Sequence, residues 1–434
     1  MQRFFLLSSL LLLGIQGQAQ DRFDTLRVMS YNLLFYGEQT SFCTNSNNNI
    51  NDKDGYLKMV TDYLKPDLLL VNEMGASVVY ADRIINNVLN TDGVDRFRRA
   101  GIQNNSFSSI VNGIFYDKNK LAQMKHDKVT KTLVNTDIVR AVDVITFYYK
   151  DPNLEAGADT TFLHLVGMHL KAGSDPSDED QRDLATEAVM DELSTHYAPG
   201  YFIAAGDFNL KTSSEGAYQN LITSSNGDYR FFDPIAEPGN WSNNSNFSAI
   251  HTQSTHTSGQ CFSGGGLDDR FDFILLSGQI MEDTGAVRYI EGSYRTVGND
   301  GNHFNQSLLQ GTNTSVPSTV RSALYEMSDH LPVFARLKMR LLPEPVDTDT
   351  IPTTIAVPMA SGAWTIDQAP DFIRFRSLPV GRTLVISDLQ GRVVMEKTVS
   401  SATWILPFGV LPVGVYQARI KDGYPRAKKL VLPR

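Results

Sequence analysis

Phe202-Ile203-Ala204-Ala205-Gly206-Asp207-Phe208-Asn209 is an apolar run that stops on a carboxylate and an amide. Its start, Tyr201–Ala205, reads as a buried strand. The same pattern recurs along the chain. Asn32 follows Val28-Met29-Ser30-Tyr31, Glu73 follows Leu68-Leu69-Leu70-Val71-Asn72, and His169 follows Leu165-Val166-Gly167-Met168. Asp329-His330 instead precedes the run Leu331 to Leu337. In layered α/β folds ligand sites gather at the carboxyl ends of strands, so polar residues at these places are candidate site residues. Taken singly, each reads more readily as a turn, cap or structural residue bonding the local backbone. The order and the combination carry the signal.

Further strands are predicted at Leu26–Leu34, Asn112–Tyr116, Val139–Tyr149, Phe162–Met168 and Asp272–Leu276. Helices are predicted at Tyr56–Lys65, stopped by Pro66, and at Ser177–His196. Strands interspersed with helices predict an α/β or α+β core. Residues 40–55 and 240–266 are rich in Asn, Ser, Thr and Gly and read as long surface loops. From Leu341 a proline-punctuated stretch reads as a linker, placed at 342–352 between a catalytic domain at 20–341 and a domain at 353–434. After it, short β-type runs at Thr383–Asp388, Arg392–Lys397, Thr403–Leu406, Val415–Lys421 and Lys429–Leu432, separated by turn residues, predict a small all-β sandwich.

The chain has 434 residues and a net charge of −9, so no global basic surface for gripping nucleic acid is visible. A metal ion and a few local cations could still neutralise one phosphate. Residues 1–19 read as a signal peptide: Arg3 is the positive end, Phe4 to Ile15 the apolar segment, and Gly17-Gln18-Ala19 the cleavage site. No stretch has the roughly 20 apolar residues of a transmembrane span. Cys43 and Cys261 are the two cysteines, and sequence leaves open whether they pair or stay free thiols.

In chain order, Met29-Ser30-Tyr31-Asn32, Val71-Asn72-Glu73, Gly167-Met168-His169-Leu170-Lys171, Gly206-Asp207-Phe208-Asn209, Asp269-Arg270-Phe271-Asp272 and Ser328-Asp329-His330-Leu331-Pro332 resemble the motifs of the endonuclease/exonuclease/phosphatase superfamily. That superfamily includes pancreatic-type deoxyribonucleases and sphingomyelinases. The resemblance spans about residues 24–337 and implies a four-layer α/β/β/α sandwich that hydrolyses phosphodiesters with a divalent metal. Glu73 is the best primary ligand for a hard cation, with Asn32 and Asp329 beside it by resemblance. Mg²⁺ suits oxygen donors and Mn²⁺ is compatible. No His or Cys set has zinc-site spacing. By the same resemblance Asp207 orients or deprotonates the attacking water, and Asn209 bonds the phosphoryl oxygen or fixes Asp207. His169 and His330 would donate to phosphoryl oxygens, with His330 oriented by Asp272. A second assignment makes His330 the general base and Asp207 the leaving-group assistant.

Arg140 matches a phosphate-facing arginine of the superfamily, and Lys171 would share the His169 face if the strand continued. One departure stands out: where pancreatic-type enzymes place a Glu partner for the first histidine, Ser108–Asn112 has no carboxylate. Either Asn112 replaces it or His169 acts without one. His251 and His256, in a loop before Gly264-Gly265-Gly266, read as substrate-side groups rather than a second metal site; the role of Asn302-His303-Phe304-Asn305 is open.

The C-terminal runs Val385–Arg392, Leu411–Tyr416 and Lys428–Leu432 resemble the sorting domain of the type IX secretion system of Bacteroidetes. That implies the type IX secretion machinery as partner and passage through the periplasm to the medium or the outer cell surface. A carbohydrate-binding or adhesion sandwich is the alternative. The expected protein is a monomeric, endonuclease-like phosphodiesterase acting on nucleic acid. The alternatives are a phosphomonoesterase, a lipid phosphodiesterase acting on a headgroup, and a non-catalytic surface binding protein.

Overall fold

The structure is a computed structural model that describes residues 22–105, 108–154, 160–343, 364–368, 372–389, 391–407, 410–421 and 427–432. The signal segment 1–19 and the linker from 344 onward lie outside the described residues. No helix among the described residues is long and apolar enough to cross a membrane.

The first elements are β1 (Phe23–Tyr36), α1 (Ile50–Leu64), β2 (Leu68–Gly75), α2 (Val78–Ile84), β3 (Phe97–Arg99), β4 (Ile110–Asp117), β5 (Leu121–Lys131), β6 (Asp137–Tyr149) and β7 (Phe162–His169). They are followed by α3 (Pro176–His196), β8 (Tyr201–Asp207), α4 (Gly216–Ile222), β9 (Phe231–Phe232), β10 (Asp272–Ser277), α5 (Gly278–Met281), β11 (Val287–Tyr289), β12 (Arg295–Thr296), α6 (Ser318–Met327) and β13 (Val333–Arg340). One sheet runs β11-β13-β1-β2-β4-β3, with β12 also beside β13; the other runs β5-β6-β7-β8-β10-β9. β1 is parallel to β2 and β7 to β8.

Side-chain alternation along the strands sorts residues into layers. Leu26, Val28, Leu68, Leu70, Leu165 and Ile203 share one core between the sheets. Met29, Tyr31, Leu69 and Val71, one position out of phase, pack with Leu57 of α1 and Leu324 of α6. Phe202 and Ala204 of the second sheet face Val189 of α3 and Leu221 of α4. Each sheet is therefore covered by helices outside and by the other sheet inside. This is the predicted four-layer α/β/β/α sandwich.

Two local expectations are corrected. The first helix begins at Ile50 rather than Tyr56, because Asn49 caps it by accepting the Asn51 N–H at 2.8 Å. Residues 240–266 are not wholly a surface loop either: His251, Thr252, Ser254 and Thr255 are buried, threaded between Asp269 and His330.

Beyond residue 363, β14 (Thr365–Gln368), β15 (Phe372–Arg376), β16 (Thr383–Asp388), β17 (Val393–Thr398), β18 (Trp404–Pro407), β19 (Gly414–Ile420) and β20 (Lys428–Leu432) form two further sheets, ordered β14-β15-β18 and β17-β16-β19-β20. Alternate residues such as Leu384, Ile386, Ala418 and Ile420 close a core with Phe375 and Leu406. The predicted β-sandwich is present, with β14 and β15 additional to the predicted strands.

Cys43 and Cys261 form a disulfide, with Cα atoms 4.4 Å apart and a sequence separation of 218. It closes a very long loop, and its loss is expected to lower stability by about 3–5 kcal/mol through unfolded-chain entropy. Guanidinium denaturation of the Cys43→Ser, Cys261→Ser double variant measures this. A loss under about 1 kcal/mol, far below the usual range for a native bridge, would count against it.

Candidate active site

At one end of the sandwich the inner faces change from apolar to polar. Leu26 and Val28 of β1 give way to Ser30 and Asn32, Leu68 and Leu70 of β2 to Asn72, and Ile203 and Ala205 of β8 to Asp207. The registers bring these positions to one level. Asn32 lies beside Asn72, His169 beside Asp207, and Asp207 opposite Asp272. Gly206 makes the close approach of β8 to β7 possible: at φ 137°, a Cβ there would meet the Met168 carbonyl oxygen at 1.8 Å.

Just past Asn32, Leu34 and Phe35 adopt φ of 46° and 48°, and Glu73 and Asn209 adopt 55° and 53°. Left-handed backbone at such residues costs about 1–2 kcal/mol each, and strain of this kind clusters at functional sites. Here it turns N–H groups onto the site. Leu34 N–H meets Asn32 Oδ1 at 2.9 Å and Phe35 N–H meets Glu73 Oε2 at 3.1 Å. The buried Lys53 ammonium fastens the bend, donating to the Leu33 and Leu34 carbonyls at 2.6 and 2.5 Å.

Glu73 from the first sheet and His169 and Asp207 from the second form a compact trio, one donor atom of each lying within 4.8 Å of the others. Asn32 Nδ2 spans the gap, 3.0 Å from both Glu73 Oε1 and Asp207 Oδ2. His330 Nδ1 is 2.7 Å from Asp272 Oδ2, and its Nε2 is 3.8 Å from Asp207 Oδ2. Asn209 donates its backbone N–H to Asp207 Oδ1 at 3.0 Å. Asp329 is held through Oδ2 by Gln253 Nε2 and Ser263 N–H at 3.2 and 3.0 Å. Arg140 borders the cluster, donating to the Leu170 carbonyl at 3.0 Å, and lines an open groove with Phe35, Ser108, Ile110 and Ile138.

Burial sets the protonation states. It pushes the Asp207 carboxyl up to about 7; the nearby His330 and Asn32 oppose the rise, while Asp272 and Glu73 add to it. Burial would depress the His330 imidazole, but Asp272 and Asp207 together outweigh it and hold the group well above the usual histidine value. His169 is pushed the other way, by burial first and then by Arg140 and His330, and stays neutral. The site thus pairs a carboxyl poised near neutrality with a histidine pulled towards its protonated form.

Several sequence expectations are amended by this geometry. Lys171 does not share the His169 face: β7 ends at His169, and the ammonium pairs instead with Asp178 of α3 at 2.6 Å. Asn112 does not partner His169, for its side chain bonds Asn72, Asp143 and the Gly167 carbonyl, while His169 Nδ1 is buried with no hydrogen-bond partner among the described residues. Asn32 turns its amide nitrogen, not its oxygen, towards the carboxylates. His251 is a structural residue, its ring nitrogens 2.8 and 3.3 Å from the Trp241 and Leu267 carbonyls. His256 is stacked between Phe262 and Tyr325, and His303 ties Asp300 to the Gln310 carbonyl. His251 and His256, expected as substrate-side groups, are both packed inside the fold. Gln253, whose side-chain nitrogen lies 2.7 Å from His330 Nε2, was not foreseen. Nothing in a polar, Asn- and Ser-rich loop marks it.

Hard oxygen donors dominate the cluster, which suits Mg²⁺ or Mn²⁺ better than a soft ion. Asp329 Oδ1 is buried with no hydrogen-bond partner among the described residues, as a carboxylate oxygen reserved for a cation would be. The fold and the site together define a four-layer α/β/β/α sandwich with a carboxylate–histidine cluster at one end.

No family model matches the chain, and no curated protein matches it. Among solved structures it is similar to the human Nocturnin catalytic domain with bound sulfate, at 13% identity over 74% of this chain and 97% of that one, TM-score 0.45. It is also similar to D. rerio TDP2 complexed with a single-strand DNA product, at 14% identity over 72% of this chain and 98% of that one, TM-score 0.44. An endonuclease/exonuclease/phosphatase from Beutenbergia cavernae DSM 12333 is similar at 16% identity over 94% of this chain and 100% of that one, TM-score 0.44.

Proposed function

We propose that this chain is an exported, divalent-metal-dependent phosphoric ester hydrolase that cleaves phosphodiesters. The observation that carries the reading is the trio of half-buried Glu73 and buried His169 and Asp207, drawn from both sheets, with the Asp272–His330 pair beside it. Asp207 accepts the proton of the attacking water as its oxygen bonds phosphorus, its carboxyl being tuned near neutrality; the P–O ester bond breaks and the departing oxygen takes up a proton from solvent. The His330 imidazolium, oriented by Asp272, donates to a phosphoryl oxygen as negative charge grows there. Neutral His169 and the Asn209 amide add donors, and Arg140 supplies a fixed cation at the groove. Glu73, with Asp329, would hold Mg²⁺, which neutralises phosphoryl charge and orients the water when bound.

The groove beside Arg140 is walled by apolar and hydroxyl side chains and the Asp137 carboxylate, and offers one guanidinium. With a net charge of −9, this favours a short single-stranded nucleic acid or a lipid headgroup over long duplex DNA, whose binding needs many cationic contacts. Export is supported by the apolar N-terminal segment, by the disulfide, which belongs to oxidising compartments, and by the C-terminal β-sandwich, which we assign as a type IX sorting domain. Assay of the purified chain with Mg²⁺ against bis-p-nitrophenyl phosphate, p-nitrophenyl phosphate, RNA, plasmid DNA and sphingomyelin is expected to show cleavage of diesters. Hydrolysis confined to the monoester would replace the proposal with a phosphatase.

A further inference from the structure

Asn72 is buried between the sheets immediately before Glu73, and two of its three hydrogen bonds converge on the trio. Its Oδ1 accepts the Asp207 N–H at 2.9 Å. Its Nδ2 donates to the carbonyl of Met168, the residue before His169, at 3.1 Å, and to Asn112 Oδ1 at 2.7 Å. Behind it, Asn112 Nδ2 donates to the Gly167 carbonyl at 3.1 Å and to Asp143 Oδ2 at 2.9 Å, and Asp143 Oδ1 is 2.7 Å from His126 Nε2. A chain of buried amides thus links β2 and β4 of one sheet to β6, β7 and β8 of the other.

The trio is assembled across the gap between two sheets. Apolar side chains fill that gap without specifying how one sheet slides over the other, whereas buried hydrogen bonds are satisfied in one registration only. Asn72 meets the main chain at Met168 and Asp207 while adjoining Glu73 itself, so any slide that separates the three donors also breaks its bonds. We propose that Asn72, backed by Asn112 and Asp143, is the positioning residue that sets the spacing of Glu73, His169 and Asp207. It is fully buried, so its part is to position and not to contact the reacting atoms. Its effect on turnover rests on the phosphodiesterase reading; its effect on geometry does not.

Asn72→Leu keeps the side-chain bulk and removes the hydrogen bonds. Its crystal structure is expected to show the Glu73 carboxylate displaced by about 1 Å or more from Asp207, and kcat to fall by about 10²-fold, as misplacement of that size does. KM should change little. In an Asp207→Ala background the same substitution should cost almost nothing more, since both act through one group. A merely structural role would lower stability and leave the two effects on kcat additive. If Asn72→Leu does not fold, Asn72→Ser, which leaves space rather than bulk, is read the same way. Cluster atoms that stay within about 0.5 Å of their wild-type positions, the tolerance of a working site, would overturn the inference whether or not the wild type is active. A wild type inert towards every diester would instead remove the phosphodiesterase reading.

Discussion

Asp207→Asn is expected to lower kcat by about 10³-fold, within the range that general acid–base groups contribute. The substitution keeps the size and planarity of the side chain. One oxygen remains to accept from Asn32 Nδ2 or the Asn209 N–H, so the local packing survives. What is lost is the proton acceptor. The wild-type rate should carry an acid limb as the carboxyl ionises, centred at or below about 7, because burial sets the upper value and a bound cation favours the carboxylate. That limb should vanish in the variant. Steady-state kinetics of both proteins across pH measures the two effects together. An unchanged kcat would transfer the base role to His330.

Glu73→Gln is expected to have the next largest effect, through cation affinity rather than proton transfer. Gln preserves an oxygen for the Phe35 N–H or Asn32 Nδ2 but removes the negative charge. Loss of a primary ligand should exceed the roughly 10–100-fold that loss of an outer partner costs in affinity or activity. Titration of Mn²⁺ by calorimetry should show binding weakened to that extent, and activity should partly recover as Mg²⁺ is raised. Wild-type cation affinity in the variant would place the ion elsewhere.

The strand-end polar residues were legible in sequence because period-2 alternation makes the switch from apolar to polar visible on one line. Asn32, Glu73, His169, Asp207, Asn209, Asp272, Asp329 and His330 all reach one end of the sandwich. Lys171 failed because alternation stops where the strand stops, at His169. The start of α1 was hidden by its Asn-rich entry, although Asn49 and the buried Lys53 make it a helix end of consequence. Gln253 and Asn72 act through contacts far apart in sequence, to Asp329 and Met168, which no local pattern encodes. In the C-terminal sandwich the turn residues separated β16 to β20 cleanly, whereas β14 and β15 mix apolar residues with Asp and Arg that pair across the strands.

A protein that keeps this fold only as a binding surface would turn nothing over. Hydrolysis of bis-p-nitrophenyl phosphate by the purified chain, measured with Mg²⁺ and again with excess chelator, separates the two most directly. The expected result is turnover that requires the cation and collapses in Asp207→Asn. No turnover with Mg²⁺ or Mn²⁺, or turnover that persists in chelator, would contradict metal-assisted attack at phosphorus.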